Sequence, residues 1–112
     1  MAGLAGGREI SKEASRAMLD ILYREHYDHI VGRRIPYDPE APTRPRWRIA
    51  SKSGSIRGVR NDVAYVVGPG CRYVVALMSE GCADERFNDD NEGALALAEV
   101  AREIHEWFTR AR

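Results

Sequence analysis

The stretch Ser51-Lys52-Ser53-Gly54-Ser55 holds the residue types in this chain best suited to chemistry. Lysine is scarce here: of 17 basic residues only Lys12 and Lys52 are lysines, so the position of Lys52 is informative. An ammonium followed by a hydroxyl, at the end of an edge strand, can hold a carboxylate in the groove beside that edge. Gly54 leaves room for another chain to approach the backbone closely. The N–H of Ser55, just past the glycine, can donate to a developing oxyanion. The same tripeptide is also compatible with an ordinary strand end carrying solvated Lys and Ser, because short matches are cheap.

Two other groups of residues have chemical potential. His26 and His29 stand three apart near the end of a predicted helix and could share a metal with Glu25 or His105. No third ligand stands at helpful spacing, and histidines at a helix C-terminus are accounted for by the dipole, so no metal is expected. Arg44, Arg46 and Arg48 surround Trp47, with Arg33 and Arg34 upstream, a pattern that can bind single-stranded nucleic acid. The net charge of zero opposes this, and Trp47 is better used as the first core residue of its strand, so no nucleic-acid partner is expected. Cys71 and Cys82 have no partner that would mark either as a nucleophile. With an extended strand between them they would lie about 25 Å or more apart, at roughly 3.3 Å per residue. A disulfide needs Cα atoms within about 7 Å, so both are read as free thiols.

The elements that must position these residues follow from pattern. Residues 1 to 10 are rich in Gly and Ala and are expected to fray. Ser11 is an N-cap candidate with Glu13 in the first turn. Ala14, Ala17, Met18, Ile21 and Leu22 then recur at helical spacing, predicting a helix from about 12 to 27. Pro36, Pro39, Pro42 and Pro45 impose an extended loop. Three strand-like runs follow: 47–53, 62–67 and 73–78. Gly68-Pro69-Gly70 is a strong hairpin signal, and 54–61 is short enough for another, giving an antiparallel meander. The second and third runs are nearly continuous in apolar residues, which predicts a sheet covered on both faces. After the polar loop 81–88, Asp89, Asp90 and Asn91 supply caps for a last helix. Its stripe of Leu97, Val100, Ala101, Ile104, Trp107 and Phe108 is expected to be core. The fold class is α+β: helix, Pro-rich loop, three-stranded meander, C-terminal helix. Two helices are little cover for such a sheet, and both outer strands offer edges, so self-association is expected.

The bulk composition bounds the rest. A chain of 112 residues with 44% apolar content is at most one domain. No stretch approaches the roughly 20 apolar residues of a membrane span, and no membrane partner is expected. Met1 to Gly7 has neither the basic n-region nor the apolar h-region of a secretory signal, and none is expected there.

Lys52-Ser53-Gly54 resembles the Lys-Ser/Thr-Gly motif of serine β-lactamases and penicillin-binding proteins. The run from Lys52 through Ile56, Arg60, Asn61 and Asp62 to Ala64 is similar to the class A β-lactamase strand, turn and following strand. The Pro-Gly hairpin, third strand and last helix come in that family's order, and 11–22 is similar to the helix preceding the motif strand. The likeness covers residues 8 to 110. It implies that Lys52 completes the electrostatic field of a catalytic site and Ser53 binds the substrate carboxylate, beside Gly54. The Ser55 N–H would form half of an oxyanion hole, and Arg60 would support the carboxylate. No cofactor is implied.

The departures are large. The chain contains no Ser-x-x-Lys, no Ser-Asp-Asn and no Glu-x-x-Leu-Asn. Acyl transfer needs a nucleophile. The expectation is therefore a flexible segment 1–10 followed by 11–112 as the C-terminal segment of a β-lactamase-like domain. Such a segment would meet a β-lactam or peptidoglycan-like substrate when complemented by an N-terminal half, and alone it would be inactive. The alternative is a non-catalytic interaction or dimerisation module that retains a remnant of the fold.

Overall fold

The computed structural model describes residues 1–24, 29–35 and 47–110. His26, Glu25, the four-proline segment, Arg44 and Arg46 lie outside the described residues, as does the expected last turn of the first long helix.

The elements run α1 (Ala2–Ala5), α2 (Lys12–Tyr23), a 3₁₀ turn (Val31–Arg34), β1 (Arg48–Ile56), β2 (Val59–Gly68), β3 (Cys71–Ser79) and α3 (Glu92–Thr109). The sheet is an antiparallel meander of order β1-β2-β3. The architecture is the α+β arrangement the sequence predicts.

Local chemistry explains the boundaries. Ser11 Oγ accepts the Ala14 N–H at 3.0 Å, starting α2. Asn91 Oδ1 does the same for Ala94 at 3.1 Å, starting α3. The β1–β2 hairpin closes at Ile56 opposite Val59, with Gly58 at φ +70. The β2–β3 hairpin closes at Gly68 opposite Cys71, around Pro69 and Gly70 at φ +69. A proline followed by a left-handed glycine is what a type II turn requires.

Strand alternation divides the sheet into two faces. One carries Ile49, Ala64, Val66, Tyr73, Val75 and Leu77, and packs with Ile30, Val31 and Ile35 and with Ala94, Leu97 and Ala101 of α3. On the other face α2 lies along β1: Ala50 is fully buried there, and the Arg48 guanidinium sits 4.0 Å from the Tyr23 ring centre.

Several expectations need correcting. The first ten residues carry the short helix α1, and buried Ser15 pins the segment by accepting the Glu9 N–H and donating to the Glu9 carbonyl. The covered side of α2 runs through Ser15, not Ile21, which is 67% exposed. In α3, Trp107 is 67% exposed and Val100 is also exposed. The helix turns its Leu97–Ala101–Phe108 line inward, and Trp107 falls about 100° off it, resting edge-on against Phe108 at 5.0 Å. The sheet is not covered evenly either. β3 alternates buried and exposed, leaving Val74 and Met78 open on the α2 side.

Candidate functional site

β1 pairs on one side only, so among the described residues its other edge is open. The register decides which groups face that edge. In a two-residue hairpin the closing pair, Ile56 and Val59, exchanges its backbone hydrogen bonds, and such pairs recur at every second residue. Gly54–Asn61 and Lys52–Val63 are therefore bonded pairs. Ser55–Arg60 and Ser53–Asp62 are not, so the N–H and C=O of Ser53 and Ser55 aim outward, away from β2. The strand thus holds the Ser55 N–H toward the groove with no side chain needed to orient it.

The same alternation splits the side chains. Lys52 and Gly54 share one face, while Ser53 and Ser55 share the other with Arg60 and Asp62. The edge is the line where the two faces meet. A ligand lying along it could be met by the ammonium from one side, by hydroxyls from the other and by the Ser55 amide head-on. Lys52 is exposed, and its Nζ donates to the outward-facing Ser53 carbonyl at 2.6 Å. Ser55 and Gly54 are exposed and Ser53 is half-buried. Among the described residues, nothing beyond its chain neighbours comes within 4 Å of where a Gly54 Cβ would stand.

Arg60 is placed differently from the exposed residues of the motif. It is 2% exposed, and its guanidinium donates to the carbonyls of Ile56 at 2.9 Å, Val59 at 2.8 Å and Arg86 at 2.5 Å. The buried charge is thereby satisfied by the hairpin tip and by the loop before α3. Its planar fork is spent on these carbonyls, so what it offers a ligand is chiefly positive field rather than a bidentate clamp.

Beside the tip lies a cleft of about 210 Å³ lined by His29, Ser55, Arg60, Phe87, Asn88 and Asp89. Ser55 and Arg60 are thus brought together, and Lys52 lies around the strand from them. Phe87, Asn88 and His29 were not assigned to this site from sequence. The available signal was Phe87, the one aromatic residue in an otherwise polar loop.

That loop is held firmly. Asp84 accepts from the Arg86 backbone N–H, Nε and Nη2 and from the Glu92 N–H. The Arg86 side chain, first among these, holds the Asp84 carboxyl well below the usual carboxylate range. Arg33 reaches across to the Asp89 carbonyl and the Asp90 carboxylate, and Arg34 pairs with Glu99, so both arginines tie the 3₁₀ turn to this region. Behind the site, Asp62 is 2% exposed and accepts the Val31 N–H.

The other candidates separate from the cleft. His105 is a core residue, bonded to Tyr73 at 2.8 Å and packed edge-on against Trp47 at 4.4 Å. Among the described residues no group of His, Cys, Asp and Glu is arranged to hold a metal ion. Cys71 and Cys82 are free thiols. No described helix is long and apolar enough to cross a membrane.

The model of the beta-lactamase enzyme family matches residues 1–108. The chain belongs to this family. Its fold is similar to that of a beta-lactamase from Sphaerobacter thermophilus DSM 20745, with a TM-score of 0.79 and 29% identity, covering 96% of this chain and 37% of that one. It is also similar in fold to PBP-A, with a TM-score of 0.76 and 24% identity, covering 98% of this chain and 37% of that one. Nothing among curated proteins matches. The chain therefore spans little more than a third of the solved structures it matches. The match takes in residues 1–7, which precede the likeness read from sequence.

Proposed function

We propose that this chain forms the sheet-edge wall of an acyl-transfer site for a β-lactam or a related peptidoglycan-like acyl substrate, with the nucleophile supplied by residues outside it. Lys52 provides the positive field, Ser53 and Gly54 line the carboxylate's seat with Arg60 behind, and the Ser55 N–H polarises the scissile carbonyl. The observation that carries the reading is the open edge of β1, where the register aims the Ser55 amide outward beside the cleft it shares with Arg60. Family membership supports the substrate class, and the absence of Ser-x-x-Lys in this sequence supports a divided site.

The test is complementation. The chain is co-expressed with the N-terminal portion of a related serine β-lactamase that carries Ser-x-x-Lys, and the pair is labelled with a fluorescent penicillin. Covalent labelling that Lys52→Ala abolishes is expected. The chain alone is expected to leave a chromogenic β-lactam untouched; saturable turnover by the chain alone would overturn the divided-site reading.

A second reading, a non-catalytic module that self-associates, is favoured by the open face of β3, where Met78 is 69% and Val74 40% exposed. Light scattering at tens of micromolar separates the two: a clean monomer removes this alternative.

A further inference from the structure

Phe87 is 67% exposed. Single exposed aromatics are common on protein surfaces and need no function. Three features set this one apart. It lines the same cleft as Ser55 and Arg60. Its ring lies 4.8 Å from the Arg60 guanidinium carbon, a cation–π distance. Its backbone is fixed just before the ring: the Arg86 carbonyl accepts from Arg60 Nη2 at 2.5 Å and from Asn91 Nδ2 at 3.0 Å. A rigid loop therefore holds an apolar plate at the mouth of a cleft whose floor is cationic.

We infer that Phe87 is a specificity-determining residue that selects anionic ligands carrying an apolar ring next to their carboxylate. The inference rests on the proposed function and deepens it by naming the ligand feature that this wall reads. The carboxylate lies in the field of Arg60 near the Ser55 amide. The adjoining ring replaces water on the exposed side of Phe87, and the ion pair and the apolar contact form together. A small carboxylate with no ring gains only the first of these. Asp89, also in the lining, disfavours a second negative charge on the ligand's outer side.

The experiment is an amide-resolved NMR titration of the full chain with benzylpenicillin, in which a carboxylate is borne on an apolar ring, and with acetate as the ringless control. Only groups this chain carries are involved, so binding is expected without the nucleophile. In the wild type, benzylpenicillin should shift the Ser55 amide at millimolar concentration. Phe87→Ala should weaken that binding by about fivefold to tenfold, the order of one apolar or aromatic contact. Phe87→Tyr should retain it, and acetate should bind equally weakly to all three proteins. Unchanged benzylpenicillin affinity in Phe87→Ala overturns the inference and leaves the proposed function standing. Absence of any Ser55 response in the wild type overturns the proposed function and this inference with it.

Discussion

Asp62 Oδ2 accepts the Val31 N–H at 3.0 Å across 31 residues of sequence, while its Oδ1 is buried with no hydrogen-bond partner among the described residues. The carboxyl of β2 thereby anchors the 3₁₀ turn to the sheet, and the residues just before that turn bring His29 to the cleft.

This anchor carries a pH signature. Burial pushes the Asp62 carboxyl up to about 6, against weaker opposing pulls from the Val31 and Val63 amides and from Lys52. The folded chain then holds this proton more tightly than the unfolded chain does. Between about pH 4 and 6 its contribution to stability falls as pH rises, and above that window the penalty is complete. The penalty is on the order of 2–3 kcal/mol. Asp62→Asn should remove it, so urea unfolding should show the variant gaining on the wild type as pH rises through the window. Parallel profiles would refute the assignment. The comparison must be a difference, because His105 acts oppositely. Burial lowers its pKa from 6.5, so its contribution is lost as pH falls below that value.

Tyr73 and His105 yield a second test. The hydroxyl and Nδ1 of the ring share a 2.8 Å hydrogen bond, and burial raises the tyrosine's pKa, keeping it protonated. Tyr73→Phe retains the 4.6 Å stack on Phe108 but leaves Nδ1 unsatisfied. A loss of about 1–3 kcal/mol is expected by chemical denaturation. With Nδ1 as the acceptor, the imidazole should also titrate higher when followed by NMR, since a bond to the neutral ring is gone. An unmoved midpoint would mean that the bond does not hold the ring neutral.

Two glycines two residues apart should respond differently to alanine. A Cβ at Gly68 would stand 2.3 Å from the Trp47 ring, inside the core. The ring must shift, costing about 1–3 kcal/mol. A Cβ at Gly70 would meet none of the described residues beyond its chain neighbours within 4 Å, and only the φ of +69 is strained, costing about 1–2 kcal/mol. Thermal melts should place Gly68→Ala at or below Gly70→Ala, with near-ultraviolet dichroism of Trp47 altered only in the former.

Asn91 does two jobs, and two substitutions separate them. Asn91→Asp keeps the oxygen that caps Ala94 but loses the Nδ2 donor shared by the Asp84 and Arg86 carbonyls. Asn91→Ala loses both. The cap alone is worth about 0.5–2 kcal/mol, so Ala should unfold at lower denaturant than Asp. Equal midpoints would show that the loop bonds dominate.

Lys52→Ala should leave stability within about 0.5 kcal/mol, because the side chain is exposed and, among the described residues, hydrogen-bonds its neighbour's carbonyl. On the proposed function, its effect falls on ligand retention. A large drop in melting temperature would mean that the lysine is structural.

The hairpins and caps were legible because each depends on one or two residues: Pro69 with Gly70, Ser11, Asn91. The motif strand was legible for the same reason. What escaped was everything decided by distant partners. Ile21, Val100 and Trp107 are apolar and near the right period, but the line that meets the sheet is set by where the helix docks. Continuous apolar β3 read as doubly covered, whereas α2 lies along β1 and leaves Val74 and Met78 open. Arg60 was read as a ligand-facing group, and nothing in its neighbours announces three carbonyls converging on it, one from residue 86. Asp62 looked like the polar start of a strand, and its burial depends on a turn 31 residues away.

The Arg86 carbonyl receives hydrogen bonds from both Arg60 and Asn91, and this joins the fates of two regions that the Cys82 N–H, bonded to the Gly58 carbonyl, and the Arg57–Glu85 pair also draw together. The tip of the first hairpin and the opening turn of the last helix are clasped by a single oxygen. Displacing the loop that carries this oxygen strands both donors, so the two should exchange their amide protons with deuterium as one unit. A foreign segment settling against that tip would also be felt at the helix.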